Sequence, residues 1–340
     1  MIKEAIAKLV EGQDLTAEEA GRVMEEIMSG EATGIQIGSL LTALRMKGET
    51  VEEIVSFVQI LRQHAALIHP RVNGRMVDTC GTGGDRLKTF NISTIAAFVA
   101  AGAGLVVAKH GNRAVSSKAG SADLLEALGL NILLEPEQVC ACIENLGIGF
   151  MFAPVFHPAM KHALGPRREI GVRTVFNVLG PLANPAQVQA QVVGVYDTRL
   201  VEKIAHVLGG LGVLHALVAH GVDGLDELSL LGETRLAELR GGKISTYSIV
   251  PEDFGLRRAS ARELEGGGAD ENARIARAIL QGQTGAKRDA VLLNAAAALV
   301  VGGLVTDLKD GLELAALSID SGEAYRKLTE LVRFTGRAVV

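Results

Sequence analysis

The chain has 340 residues, 48% apolar and 21% charged, a balance that fits a large folded core and excludes a disordered or low-complexity polymer. A formal net charge of −5 argues against a general nucleic-acid binder, which would carry a basic stripe. Cys80, Cys140 and Cys142 provide neither a disulfide framework nor a four-ligand zinc spacing, so a reducing, cytoplasmic compartment is expected.

From residue 1 to about residue 70 the pattern is helical throughout. Apolar residues recur at helical spacing at Ile2, Ala5, Ile6 and Leu9, without the long apolar run of a secretion signal, and again from Val51 to Leu67. Thr16 with Glu19, and Thr50 with Glu53, have capping-box spacing, and Gly12, Gly30 and Gly48 mark the breaks. At Arg75 the pattern changes. Met76-Val77-Asp78-Thr79 reads as a strand, followed by a glycine-rich loop and an alanine-rich helix over about 93–103. Residues 105–108 form the next strand, followed by a loop and a helix over about 122–128. This alternation predicts an α/β fold: a large domain over 71–340 with a mostly parallel central sheet flanked by helices, plus a small all-helical domain over 1–70. Residues 150–185, broken by Pro154, Pro158, Pro166, Pro181 and Pro185, read as helical crossover segments and loops between the domains. Residues 190–195, 216–219 and 243–249 read as further strands, and helices return over about 270–334. The apolar stretch 290–305, interrupted by Asn294, falls short of the roughly 20 residues that span a bilayer and reads as a buried helix.

Ligands on such sheets gather at the carboxyl ends of the strands, where the chemistry-bearing loops fall. The first is Cys80-Gly81-Thr82-Gly83-Gly84-Asp85, whose glycines let backbone amides approach phosphate oxygens. It lacks the ending of a Walker A loop, and Arg86 occupies the place of a dinucleotide fingerprint's third glycine. Asn91-Ile92-Ser93-Thr94 then opens a helix whose dipole favours an anion, although a tight turn with an ordinary N-cap fits these residues about as well. The second loop, Lys109-His110-Gly111-Asn112-Arg113 with Ser116-Ser117-Lys118-Ala119-Gly120-Ser121, strengthens the anion reading because the sheet places consecutive loops side by side. The third, His220 to Ser229, carries Asp226 and Glu227, which suit magnesium bound jointly with substrate phosphates, or else form a solvated acidic turn. Arg167-Arg168-Glu169 offers either a bidentate clamp for a carboxylate or a structural salt bridge.

The ordered set GTGGD at 81–85, TFNIST at 89–94, KHGNRAVSS at 109–117, GSADLLEALG at 120–129, APVFHPAM at 153–160, RREIGVRTVFN at 167–177 and HGVDGLDELS at 220–229 closely resembles the anthranilate phosphoribosyltransferase family. The resemblance implies a nucleoside phosphorylase/phosphoribosyltransferase-like architecture, with helices from about 160–185 joining the helical domain and a homodimer formed through it. It implies that phosphoribosyl diphosphate (PRPP) lies against Gly81, Gly84, Asp85, Thr89, Asn91, Ile92, Ser93 and Thr94. Lys109, His110, Gly111, Asn112, Arg113, Ala114, Val115, Ser116, Ser117 and Ser121 complete that surface by the same matching. Two magnesium ions per subunit are implied, held by Ser93, Asp226 and Glu227. Anthranilate is expected at Gly81, His110, Asn112, Pro154, His157, Arg167, Gly180 and Pro181, with Arg167 preferred over Arg168 for the carboxylate.

The implied reaction, in tryptophan biosynthesis, is displacement of diphosphate from the ribose by a neutral aryl amine, which needs positioning and charge stabilisation more than a general base. No residue is therefore assigned as an acid or base catalyst. Arg86, where many relatives have glycine, and Ala183, where threonine is usual, depart from the pattern. Two rivals stand beside this reading. A pyrimidine nucleoside phosphorylase-like enzyme shares the architecture, but KHGNR, the Asp226-Glu227 pair and Arg167 better suit diphosphate, metal and a carboxylate. A non-catalytic nucleic-acid-binding paralogue would need a basic surface that the charge balance opposes. Neither nucleic acid nor membrane is expected as a partner, and contact with an anthranilate synthase glutaminase is left open.

Overall fold

Four short helices open the chain: α1 (Ile2–Val10), α2 (Ala17–Met28), α3 (Gly34–Lys47) and α4 (Val51–Gln63). The computed structural model describes residues 1–84, 87–114 and 118–337. The two expected capping boxes form, and Thr33 with Gln36 adds a third at the start of α3. Glu53 also reaches beyond its own helix. Its buried carboxylate accepts from the Leu15 amide at 2.9 Å and from Lys47 at 3.0 Å, fastening α4 to the α1–α2 connection and to the end of α3.

The remainder alternates strand and helix: β1 (Met76–Gly81), α5 (Ile92–Gly102), β2 (Val106–Gly111), α6 (Ser121–Ala127), α7 (Pro136–Leu146), β3 (Ile148–Phe152) and α8 (Ala153–Phe156). Then come α9 (Lys161–Ile170), α10 (Phe176–Leu182), β4 (Ala190–Gly194), α11 (Leu200–Gly210), β5 (His215–Gly221), β6 (Thr234–Arg240) and β7 (Lys243–Ile249). Helices α12 (Ala269–Leu280), α13 (Ala286–Gly302), α14 (Leu308–Asp320) and α15 (Glu323–Arg337) follow.

The seven strands form one sheet in the order β3-β2-β1-β4-β5-β6-β7. The first five positions are parallel, and β6 and β7 add antiparallel at one edge. Two strands depart from the sequence expectation. Residues 148–152 form β3, whose last three residues fall in the stretch expected as crossover helices and loops, because a five-residue apolar run buried along its whole length has no period that separates strand from helix. Thr234–Arg240 is β6, whose Arg235, Glu238 and Arg240 mask the alternation with the buried Leu236 and Leu239.

Side-chain alternation divides the core between the sheet's two faces. Val192 and Leu217 point into a cluster with α5, α13 and α15. Val193, Ala216 and Val218 point the other way, into a cluster shared with α1–α4, α10 and α11. The helical bundle thus packs directly on one face of the sheet. The long α13 is buried nearly all round, and Asn294 within it exchanges hydrogen bonds with the Leu228 backbone at 3.0 Å, as expected of a core helix. Among the described residues, no helix is long and apolar enough to cross a membrane.

Candidate active site

The strand order reverses direction between β1 and β4, the switch point at which ligands bind on open parallel sheets. Strands β1, β2, β4 and β5 all end in glycine: Gly81, Gly111, Gly194 and Gly221. The reason is steric. A Cβ at Gly81 would meet Asp226, one at Gly194 would overlap the Asp226 backbone, and one at Gly111 would strike Ser121 and Phe150. The bare strand ends let the loop after β5 lie across β1 and β4.

That loop is pinned by its own side chains. Asp223 accepts from the Leu225 amide at 2.9 Å and from Ser229 Oγ at 2.6 Å, while Asn294 holds Leu228. Asp226 and Glu227 are thereby carried to the glycine-rich loop. The Gly83 amide donates to Asp226 Oδ2 at 2.7 Å, and the Ser93 amide, in the first turn of α5, donates to Glu227 Oε1 at 3.1 Å. The glycine-rich loop, the start of α5 and the loop after β5 meet here. Burial raises the Glu227 pKa, and the neighbouring Asp226 charge raises it further. A buried acid whose charge is disfavoured in this way, beside a second acid, fits a cation. Among the described residues, no group of three or more His, Cys, Asp or Glu side chains could hold one alone, so substrate oxygens and water would complete the coordination, as magnesium usually requires.

Below the acids lies a buried polar layer. Lys109 is 4% exposed and donates to the Thr79 carbonyl. Asp78 accepts from Asn184 Nδ2 at 2.7 Å and from the His110 amide at 3.3 Å, yet burial still pushes its pKa up to about 6. Asn184 also donates to the Ala108 carbonyl at 2.9 Å, tying β1 and β2 to the segment after α10. Sequence reading gave neither Asp78 nor Asn184 a role. A lone carboxylate inside the apolar strand 76–80 was the available signal.

His110 and His157 are both buried, with ring centroids 5.0 Å apart, and the Nε2 atom of each lacks a hydrogen-bond partner. Their remaining ring nitrogens pair with the backbone of Gly180 and Ala183. Burial lowers both pKa values, that of His157 to about 4, so two neutral imidazoles face each other at the end of α10. Ala183, a departure from the usual pattern, therefore serves here through its carbonyl. At the start of α10, Arg167 lies 5.0 Å from the centroid of the Phe176 ring. Arg167 is half-buried, whereas Arg168 is exposed.

The other expected ligands divide by what already occupies them. Gly84 adopts φ +84°, the left-handed conformation that a turn of the chain requires here. Asn91 ties three segments together, donating to the Ala119 carbonyl at 3.0 Å and accepting from Asn272 Nδ2 at 2.9 Å. Thr89 bridges Glu265, and the Pro181 carbonyl accepts from Gln191 at 2.6 Å. Pro154 is exposed at the start of α8. Asn112 accepts through its carbonyl from Ser121 Oγ at 3.2 Å, and the Ala114 amide donates to Asp123 at 3.0 Å. Three further expected residues are engaged within the protein. The Ile92 amide donates to the Phe90 carbonyl at 2.8 Å and its side chain sits in the core. Thr94 is buried in the first turn of α5. The Arg113 side chain pairs with Asp123 at 2.9 Å and Glu126 at 2.8 Å, which fastens the loop to α6. Asp85, Arg86, Val115, Ser116 and Ser117 lie outside the described residues.

This geometry agrees with what the chain is similar to. Residues 73–325 match a glycosyl transferase family α/β domain and residues 3–65 the family's helical bundle domain. Anthranilate phosphoribosyltransferase from Acetivibrio thermocellus is 54% identical over 98% of this chain and 97% of its own length. The chain belongs to the anthranilate phosphoribosyltransferase family. Among solved structures of this family, that from Thermus thermophilus is 46% identical, covers 97% of this chain and 99% of its own, and superposes with a TM-score of 0.93. The Saccharomyces cerevisiae member in complex with PRPP and Mg is 29% identical, covers 99% of this chain and 98% of its own, and gives a TM-score of 0.91. The fold likeness therefore extends over nearly the whole molecule, including the glycine-ended strands.

Proposed function

We propose that this chain is a pentosyltransferase that joins anthranilate to PRPP, giving N-(5-phosphoribosyl)anthranilate and diphosphate in the cytoplasm. The observation that carries this is the meeting of Gly83 with Asp226 and of Ser93 with Glu227, which brings a phosphate-type loop, a helix N-terminus and two acids into one place. The diphosphate lies beside the loop of 81–84 and the start of α5, with the buried Lys109 beneath. Two magnesium ions at Ser93, Asp226 and Glu227 would neutralise the leaving group's charge as it departs.

The chain's own residues then have three tasks. The loop amides and the α5 dipole hold the diphosphate in line, so that positive charge can develop on the ribose. His110 and His157, neutral and with unpartnered nitrogens, offer polar atoms to an aryl ring. Arg167 fixes the carboxylate as a bidentate pair, setting the amine toward the anomeric carbon. The amine attacks in its neutral form, and its proton leaves to solvent or diphosphate after the bond forms.

Residues 1–70, with helices from about 160–185, form the smaller unit, which also supplies the surface of a homodimer. An exposed face of α1, α3 and α9 supports this, with Val10, Ile35 and Met46 at 69%, 83% and 84% exposure around Gly38 and Thr42. The direct test is loss of anthranilate fluorescence with purified protein, which should require both PRPP and magnesium. Turnover without PRPP, or its absence when all components are present, would refute the assignment.

A further inference from the structure

Arg173 lies between α9 and α10 and has had no role so far. Its guanidinium donates to the Gly84 carbonyl and sits 4.3 Å from the centroid of the Tyr196 ring. Tyr196, just beyond β4, is half-buried, and its amide donates to Thr82 Oγ1 at 3.2 Å. The Thr82 amide in turn donates to the Gly194 carbonyl at 2.9 Å. The glycine-rich loop is therefore anchored on both sides of Gly83, whose amide donates to Asp226: at Thr82 by the end of β4 and at Gly84 by Arg173.

Between these anchors, Gly83 and Gly84 both adopt left-handed conformations, at φ +68° and +84°. Two successive glycines lose more conformational freedom on ordering than any other pair of residues, so amides aimed at a phosphate there need an external restraint. A guanidinium suits this task because its planar face can lie against an aromatic ring while its edge donates to a carbonyl. A Cβ at Gly84 would overlap the Arg173 guanidinium, which shows how closely the two approach.

We propose that Arg173 is a positioning residue for PRPP, holding the Gly84 peptide, next to the Gly83 amide that Asp226 engages, in the conformation that the diphosphate site needs, without touching that ligand. This deepens the functional reading above and rests on it. Arg173 is six residues beyond Arg167, so the segment that carries the carboxylate clamp also carries the anchor of the diphosphate loop.

The test compares the full chain with Arg173→Ala, Arg173→Gln and Arg173→Lys, by calorimetric titration of PRPP with magnesium and by steady-state kinetics for each substrate. Losing a charge-assisted hydrogen bond that orders a loop corresponds to about tenfold in an equilibrium constant. Arg173→Ala should therefore weaken PRPP binding and raise its KM by about tenfold, while the KM for anthranilate stays within about twofold. Arg173→Gln keeps one donor and Arg173→Lys keeps the charge, so each should recover part of the loss, and both preserve enough bulk to fold if the alanine variant does not. Parental PRPP affinity in all variants, or equal weakening for both substrates, would overturn the inference alone. A parent chain that bound no PRPP would overturn the functional reading and this inference together.

Discussion

Gly194→Ala is the sharpest test of how the site is assembled. Gly194 ends β4 with an ordinary backbone conformation, so the substitution adds only a methyl group. That methyl would overlap the Asp226 backbone, with the Glu227 amide nitrogen 3.1 Å away. Backbone atoms cannot rotate aside as the end of a side chain can. Either β4 or the loop carrying the two acids must therefore move, at an overpacking cost of about 1–3 kcal/mol. The loop is also tied to Asn294 and braced by Asp223, so relief comes as a shift of the acids by about 1 Å, a misplacement that can cost on the order of a hundredfold in rate. The expected result is kcat/KM about a hundredfold lower, a higher magnesium requirement, and a thermal midpoint lower by several degrees, on the scale of roughly 2–4 °C per kcal/mol for domains of 150–250 residues. Gly232→Ala, where a Cβ meets nothing within 4 Å, is the control, and it should behave as the parent. Gly194→Ala with parental turnover and an unchanged magnesium titration would refute the reasoning.

Glu227→Gln should abolish magnesium-dependent turnover while stabilising the ligand-free chain. The sign follows from linkage. Because burial and Asp226 raise the Glu227 pKa in the fold, the folded state holds its proton more tightly than the unfolded state does. Stability is therefore lost as pH rises from the ordinary carboxylate range through the raised value, and the variant's thermal midpoint should fall less than the parent's between about pH 5 and about pH 8. A pH profile of midpoints identical to the parent's would count against the buried acid pair. Arg167→Ala should raise the KM for anthranilate by at least about tenfold and leave that for PRPP nearly unchanged, as expected for loss of a carboxylate clamp, and steady-state kinetics with each substrate varied would check this. Ile35→Asp with Met46→Asp should give a monomer in sedimentation experiments if the exposed face of the helical bundle joins two copies, and an unchanged association state would exclude that face.

The residues by themselves specified much of this protein because local rules govern so much of it. Capping pairs and glycine breaks delimited the bundle, and the alternation from Met76 onward called for a parallel sheet. The glycine loop, the KHGN segment and the Asp226-Glu227 pair each lay after a readable strand. What local pattern could not supply was anything set by atoms distant in the chain. The short buried run Ile148–Phe152 became a strand only through pairing with β2, and Thr234–Arg240 only by adding antiparallel to β5. The glycine at the end of β4 gains its meaning from the Asp226 backbone that crosses it, 32 residues later in the chain. Arg173 gains its meaning from a carbonyl 89 residues earlier. Sequence spacing chose the functional groups, whereas steric fit at the sheet's switch point decided which of them meet.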